Sequence, residues 1–249
     1  MISLGLEGIS AGYGRHRILD SFSVRPLTGG RVVGLLGPNA SGKSTLMKSI
    51  AGVHRTVNGS VELTIGDQVI SGRDLRDHIG YVPQDLPKSA ALTAFETVIV
   101  AARRHFGTRV AQLLAAEIMH ELGLEDLAHV CLSDMSGGQR QMVAVAQMLV
   151  TDPTVMLLDE PTSALDLHRQ LFLFELLRKR VRDMRGIALI AIHDINLAAR
   201  FCDELVVMKE GQLVEQGSPD EIVTAELIDA VYQVEAQILQ HEGSPVLCF

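Results

Sequence analysis

Unbroken apolar runs and helically spaced apolar residues alternate along this chain. RVVGLLG (31–37), Val155–Leu158 and Ile187–Ile192 are short continuous apolar runs, and Val155–Leu158 has the pattern of a strand buried on both faces of a parallel sheet. The first runs into a segment, Ser44 to Ala51, that has no breaker until Gly52 and reads as a helix. Residues 1–36 also hold short alternating or apolar stretches broken by Gly12, Gly14 and Gly29-Gly30. With GSVELTIGDQVI (59–70) they predict a small antiparallel sheet near the N-terminus. The pattern changes after residue 86. LPKSAALTAFETVIVAARRHF carries a Thr93–Glu96 capping box followed by helical spacing, and AAEIMHELGLEDLAHV is helical again, so an inserted helical subdomain is expected over 86–150. From 152 onward strands alternate with helices. LVVMKEGQLVEQG (205–217) predicts a hairpin turning at Glu210-Gly211, and DEIVTAELIDAVYQV (220–234) predicts one helix. The expected architecture is α/β, one domain over 1–249, without repeats, low-complexity tracts or flexible linkers.

The first run ends in GPNASGKST (37–45), which fits the phosphate-binding pattern G-x-x-x-x-G-K-[ST] without a mismatch. Gly37 and Gly42 let the backbone turn around a phosphate chain so that successive N–H groups point inward. Lys43 reaches the β- and γ-phosphates, and the Ser44 hydroxyl is a Mg²⁺ ligand. The setting is strand, loop, helix, in which a helix N-terminus holds an anion, and the expected substrate is a nucleoside triphosphate.

Val155–Leu158 ends in Asp159-Glu160-Pro161, two acids at the carboxyl end of a strand, where ligands of such sheets sit. Asp159 is expected to hold the magnesium through water and Glu160 to face the attacking water. A third element is Met135-Ser136-Gly137-Gly138-Gln139 before RQMVAVAQMLV, in which Met142, Val143, Ala146, Leu149 and Val150 recur at helical spacing. Ser136 and Gln139 form a capping-box pair. By itself that is an ordinary capped helix, but its glycine-lined, positive end could also receive a phosphate.

Taken together, the chain resembles the nucleotide-binding subunit of an ABC transporter. GPNASGKST resembles the Walker A motif, VMLLDE (155–160) the Walker B motif, and MSGGQ (135–139) the signature, usually LSGGQ. The remaining family elements follow in order. Tyr13 matches the aromatic residue that stacks on adenine, and Gln84 the glutamine linking magnesium and attacking water to the membrane-domain interface. Ser163-Ala164-Leu165-Asp166 matches the loop that crosses a dimer interface, and His193 the switch histidine at the γ-phosphate. Ala40, where many relatives have Gly, and Met135 are small departures.

The resemblance implies a phosphate-loop NTPase fold with a RecA-like core, an N-terminal antiparallel β subdomain and an inserted helical subdomain. It implies ATP and Mg²⁺ bound by Tyr13, by Gly37, Pro38, Asn39, Ala40, Ser41, Gly42, Lys43, Ser44 and Thr45, and by Gln84 and Asp159. Glu160, His193, Gln84 and Lys43 would be catalytic. Ser136, Gly137, Gly138, Gln139 and Asp166 would close the site from a second copy of the chain. The tail, from HDINLAARFCDELVVMKEGQLVEQGSP onward, resembles ATPases of bacterial importers for iron chelates (siderophores), haem and cobalamin. A manganese or zinc importer, or a soluble non-transport ABC ATPase, are the alternatives. The implied partners are a polytopic permease on a separate chain and, through it, a periplasmic or extracellular substrate-binding protein.

Composition bounds these expectations. The chain has 249 residues, 47% of them apolar, and 22 basic against 30 acidic residues give a net charge of −8. That balance, with no basic block, does not favour nucleic acid as a partner. Cys131, Cys202 and Cys248 are scattered as in a reducing compartment. The N-terminus lacks the features of a secretory leader, and no apolar run spans a bilayer. The expected location is cytoplasmic, peripheral on the inner face of the cell membrane.

Overall fold

Strand alternation at the N-terminus gives a four-stranded antiparallel sheet in the order β2-β1-β4-β5, from β1 (Ile2–Tyr13), β2 (His16–Thr28), β4 (Asn58–Ile65) and β5 (Gln68–Ser71). The computed structural model describes residues 1–86, 91–241 and 243–248. The run at 31–36, at the end of the stretch assigned to that antiparallel sheet, instead forms β3 (Arg31–Leu36) of a second, six-stranded sheet. Its neighbours are β6 (Ile79–Val82), β7 (Val155–Asp159), β8 (Ile187–Ala191), β9 (Glu204–Lys209) and β10 (Gln212–Gly217), in the order β10-β9-β3-β8-β7-β6. All neighbours pair in parallel except β10, which returns antiparallel to β9 through the turn at Glu210-Gly211, where both residues have positive φ. That is the predicted hairpin.

The unbroken apolar runs have a direct cause. Every residue of β7 and β8 is buried, and successive side chains enter opposite layers. Val155, Leu157, Ile187 and Leu189 pack with Val33, Leu35 and the antiparallel sheet, together with α1 (Lys43–Ile50). Met156, Leu158, Ala188 and Ile190 pack with helices on the other face, α4 (Gly137–Leu149), α5 (Leu167–Met184) and α6 (Ile195–Phe201). Burying one such aliphatic side chain contributes about 1.5–3 kcal/mol, so the two layers hold the central strands in one register.

The inserted region yields α2 (Ala94–Ala102), capped by the predicted reciprocal Thr93–Glu96 pair, and α3 (Thr108–Glu121). Residues 87–90 of its expected entry lie outside the described residues. The helical expectation over 115–130 needs correction: α3 stops at Leu122-Gly123, where Gly123 has φ +63°, and Glu125–Leu127 is a single 3-10 turn. The 220–234 helix is also two. A Ser218 capping box starts α7 (Pro219–Ile222), and the Thr224 hydroxyl accepts from Leu227 N–H to start α8 (Ala225–Tyr232). A hairpin of β11 (Gln237–His241) and β12 (Ser244–Cys248) follows. It is tied to α6 by Asn196, whose amide donates to the Leu247 carbonyl (3.2 Å) and accepts from Leu247 N–H (2.7 Å). Cys131, Cys202 and Cys248 are free thiols. Among the described residues no helix is long and apolar enough to cross a membrane.

Phe174 of α5 and Phe201 of α6 stack with ring centroids 5.0 Å apart, both nearly fully buried. Phe174→Ala should therefore lower unfolding stability by about 3–5 kcal/mol, read as a fall in the urea midpoint. A loss below 1 kcal/mol would show that the α5–α6 contact is not part of the cooperative core.

Candidate active site

The loop after β3 is shaped by what surrounds it. Gly37 sits at φ +151°, and a Cβ there would lie 2.2 Å from the Met208 carbonyl of β9, so no side chain fits. The β9–β10 turn also holds the loop's far side, where Gly211 N–H donates to Ser41 O at 2.9 Å. Gly42, left-handed at φ +104°, is the N-cap of α1, leaving the first N–H groups of that helix without intrahelical partners. Lys43, 5% exposed, donates from Nζ to the carbonyls of Gly37 (2.7 Å) and Pro38 (3.1 Å), curling over the loop. Burial lowers its pKa, opposed by the nearby charges of Glu160 and Asp159. Ala40, the departure noted in the sequence, occupies the left-handed region at φ +62°, a conformation that costs a residue with a Cβ about 1–2 kcal/mol.

The acids come from the end of β7. Asp159 is 1% exposed; its Oδ1 accepts from the Ser44 hydroxyl at 3.0 Å, and its Oδ2 accepts from Tyr81 OH at 3.5 Å. Burial raises its pKa, the Ser44 bond works against that, and the charge of Glu160 adds to it. Glu160 follows at φ +53°, rare for a residue with a side chain. The turn brings its carboxylate between two groups. Gln84 Nε2 donates to Oε2 at 2.7 Å, and His193 Nε2 lies 2.5 Å from Oε1. Because a carboxylate accepts, the histidine proton on that side belongs on Nε2.

These groups converge on one cavity of about 480 Å³, lined by Tyr13, Ile18, Asn39, Ala40, Ser41, Gly42, Lys43, Ser44, Thr45, Gln84, Glu160 and His193. Gly37 and Pro38 join through their carbonyls to Lys43, and Asp159 through Ser44. Ser136, Gly137, Gly138, Gln139 and Asp166 do not line it. Ser136 does form the expected capping box: Ser136 N–H donates to Gln139 Oε1 (2.8 Å) and Gln139 N–H to Ser136 Oγ (3.2 Å). Gly138 has a second reason to be glycine, since a Cβ there would sit 2.7 Å from Ala164 O. Asp166 caps α5 by accepting from Arg169 N–H at 2.9 Å. Tyr81, Ile18 and the Met208–Gly211 segment escaped the sequence reading. Tyr81 had a signal, an aromatic hydroxyl near the carboxyl end of a strand.

The residues present suit a phosphate chain with a hard divalent cation. Gly37 leaves room only for backbone beside Met208 and the Ser41 hydroxyl, that buried hydroxyl has no partner among the described residues, and Ser44 and Asp159 offer a hydroxyl and a carboxylate oxygen 3.0 Å apart.

Residues 21–163 match the family model described as ABC transporter. The chain belongs to the ABC transporter family. It is similar to the ferric enterobactin transport ATP-binding protein FepC of Escherichia coli (strain K12), 32% identical over 251 residues, 97% of this chain and 92% of that protein. The hemin import ATP-binding protein HmuV of Rhodopseudomonas palustris (strain HaA2) is 36% identical over 229 residues, 87% of this chain and 86% of that protein. The cobalamin import ATP-binding protein BtuD of Halobacterium salinarum (strain ATCC 29341) is 33% identical over 242 residues, and this chain spans 60% of its length. The dimeric ATP-binding cassette MJ0796, in a post-hydrolysis state with ADP and Pi, superposes with a TM-score of 0.76 at 26% identity, covering 86% of this chain and 98% of that one. The chain is accordingly an ABC ATPase.

Burying the Asp159 carboxylate carries a cost. Burial holds the Asp159 pKa above the ordinary carboxylate value, so the folded state binds that proton more readily than the unfolded chain. Stability attributable to Asp159 is therefore lost as pH rises through the carboxylate range. Asp159→Asn should raise the urea midpoint of nucleotide-free protein at pH 7, with the gain shrinking as pH falls through that range. A lower midpoint for the variant at pH 7 would contradict this account.

Proposed function

We propose that this ABC ATPase powers a bacterial importer by closing with a second copy of itself around MgATP, against a permease on a separate chain at the inner face of the cell membrane. One observation carries the reading. The cavity holds the phosphate loop and the Gln84–Glu160–His193 cluster, whereas the capped, glycine-lined start of α4 lies outside it. A single chain thus has both halves of a site that do not meet, and supplying α4 from a partner completes it.

In this mechanism Lys43 leaves the Gly37 and Pro38 carbonyls for the phosphates, and Tyr13 stacks on adenine. Ser44, Asp159 and Gln84 would hold magnesium, which supplies charge neutralisation between the phosphates. Glu160 orients or polarises the attacking water, and His193, released from Glu160, contacts the γ-phosphate. Ser136, Gly137 and Gly138 of the partner offer helix-end N–H groups to the charge that develops there, with Gln139 and Asp166 flanking them. Hydrolysis removes the bridge and lets the pair reopen. Residues 86–150, taken as a helical subdomain, and Gln84 would pass this motion to the permease.

For the cargo, the reading is an iron-siderophore, haem or cobalamin, delivered to the permease by a binding protein outside the membrane. It is supported by FepC, HmuV and BtuD aligning over most of this chain.

Glu160→Gln keeps the shape and hydrogen-bonding reach of the side chain but removes its charge. Hydrolysis should fall by about two to four orders of magnitude, and the variant should elute as a dimer with MgATP in size-exclusion chromatography. Adding Ser136→Arg should abolish that dimer by blocking the helix end. A double variant that still dimerises would sink the shared site; normal turnover in Glu160→Gln would sink the role of Glu160.

For the cargo, disruption of the gene should impair growth when iron is supplied only as a chelate or as haem, with rescue by the intact gene and not by Lys43→Ala. A defect confined to manganese or zinc limitation would move the cargo to those ions.

A further inference from the structure

Tyr13 ends β1 half exposed, a placement that by itself leaves a side chain free to turn. Its ring is not free. The His54 imidazole lies with its centroid 4.5 Å from that of Tyr13, tilted 35°, within the range of favourable aromatic pairs. His54 Nε2 is also 2.9 Å from the Gly12 carbonyl, which can only accept, so the imidazole donates there and grips the backbone beside the ring it supports.

His54 is absent from the lining of the phosphate-loop cavity and lines a separate cavity of about 680 Å³ with Arg55 and Arg76. Tyr13 lines the first cavity and not the second, so its ring stands between the nucleotide side and His54. His54 is itself anchored, because its N–H donates to Lys48 O at 3.0 Å in the last turn of α1. The group that braces Tyr13 is therefore tied through its backbone to the helix that begins at the phosphate loop.

We propose that His54 is a positioning residue for base binding: it fixes the Tyr13 ring from behind, at a set distance from the phosphate loop, so that adenine meets a platform already in place. This rests on the assignment of Tyr13 to the base made above. Ordering a side chain in advance spares its entropy on binding, an effect of about three- to tenfold in affinity.

The test is a binding titration of MgATP and of magnesium tripolyphosphate, which has the phosphates without the base. It uses His54→Ala, His54→Phe, Tyr13→Ala and the His54→Ala/Tyr13→Ala double variant, with unfolding midpoints taken in parallel. His54→Ala should weaken ATP about three- to tenfold and leave tripolyphosphate within about twofold, as expected for a bracing side chain rather than a phosphate ligand. His54→Phe, which restores the ring without the Gly12 bond, should recover part of the loss. The double variant should bind ATP no more weakly than Tyr13→Ala alone, since the brace has nothing left to hold. Unchanged ATP affinity in His54→Ala beside a clear loss in Tyr13→Ala would overturn the proposal, as would equal losses for ATP and tripolyphosphate or fully additive losses in the double variant. If Tyr13→Ala itself binds ATP normally, the base assignment fails first and takes this proposal with it.

Discussion

The site depends on one line of parallel-strand register. Leu35 of β3 and Asp159 of β7 both pair with Ala191 of β8, so the three strands end level with one another. The next residues along each strand deliver the phosphate loop, Glu160 and His193 to the same edge. Two apolar layers enforce that line, because a slip by one residue would exchange the layers into which β7 and β8 send their side chains. Chemistry at the edge is thus placed by packing in the interior, and the polar groups adjust only over the last few ångströms.

Those final adjustments carry strain and unspent charge. Glu160 and Ala40 take left-handed backbone, Asp159 is buried as an acid, and Lys43 is curled onto carbonyls. Ala40, Lys43 and Glu160 line the same cavity, and Asp159 joins it through Ser44. A ligand with a phosphate chain and a cation would answer the charges of Lys43 and Asp159, so local cost in the free protein becomes preference for the bound state. The β9–β10 hairpin, pressed against Gly37 and Ser41, keeps the loop from relaxing away from that arrangement.

The central strands and the helix starts were legible in the sequence because their signals are local and strong. Apolar runs of four to six residues can hardly be placed elsewhere than between two layers, and the Thr93–Glu96 and Ser136–Gln139 pairs cap their helices as written. The helix over 220–234 was misjudged because its apolar spacing continues through a break that a threonine cap creates at Thr224. The end of α3 was overrun in the same way, its spacing continuing past Gly123, which stops the helix. Tyr81 and His54 were missed for another reason. Each matters through a partner far along the chain or outside any motif, Asp159 for one and the Gly12-Tyr13 pair for the other, and spacing carries no trace of such contacts. Glu160 was found as an acid, but its backbone conformation has no signature in composition.

The Asn196 amide, paired on both sides with the Leu247 backbone, gives the β11–β12 hairpin a place in the machinery rather than beside it. Asn196 stands in the first turn of α6, three residues after His193, and that helix has only seven residues through which to settle its tilt. That short helix is held at both ends, by the Asn196–Leu247 pair in its first turn and by the Phe174–Phe201 stack at its last residue. The placement of the histidine just ahead of α6 therefore rests partly on a residue 51 positions downstream of Asn196, outside any of the motifs at the cavity.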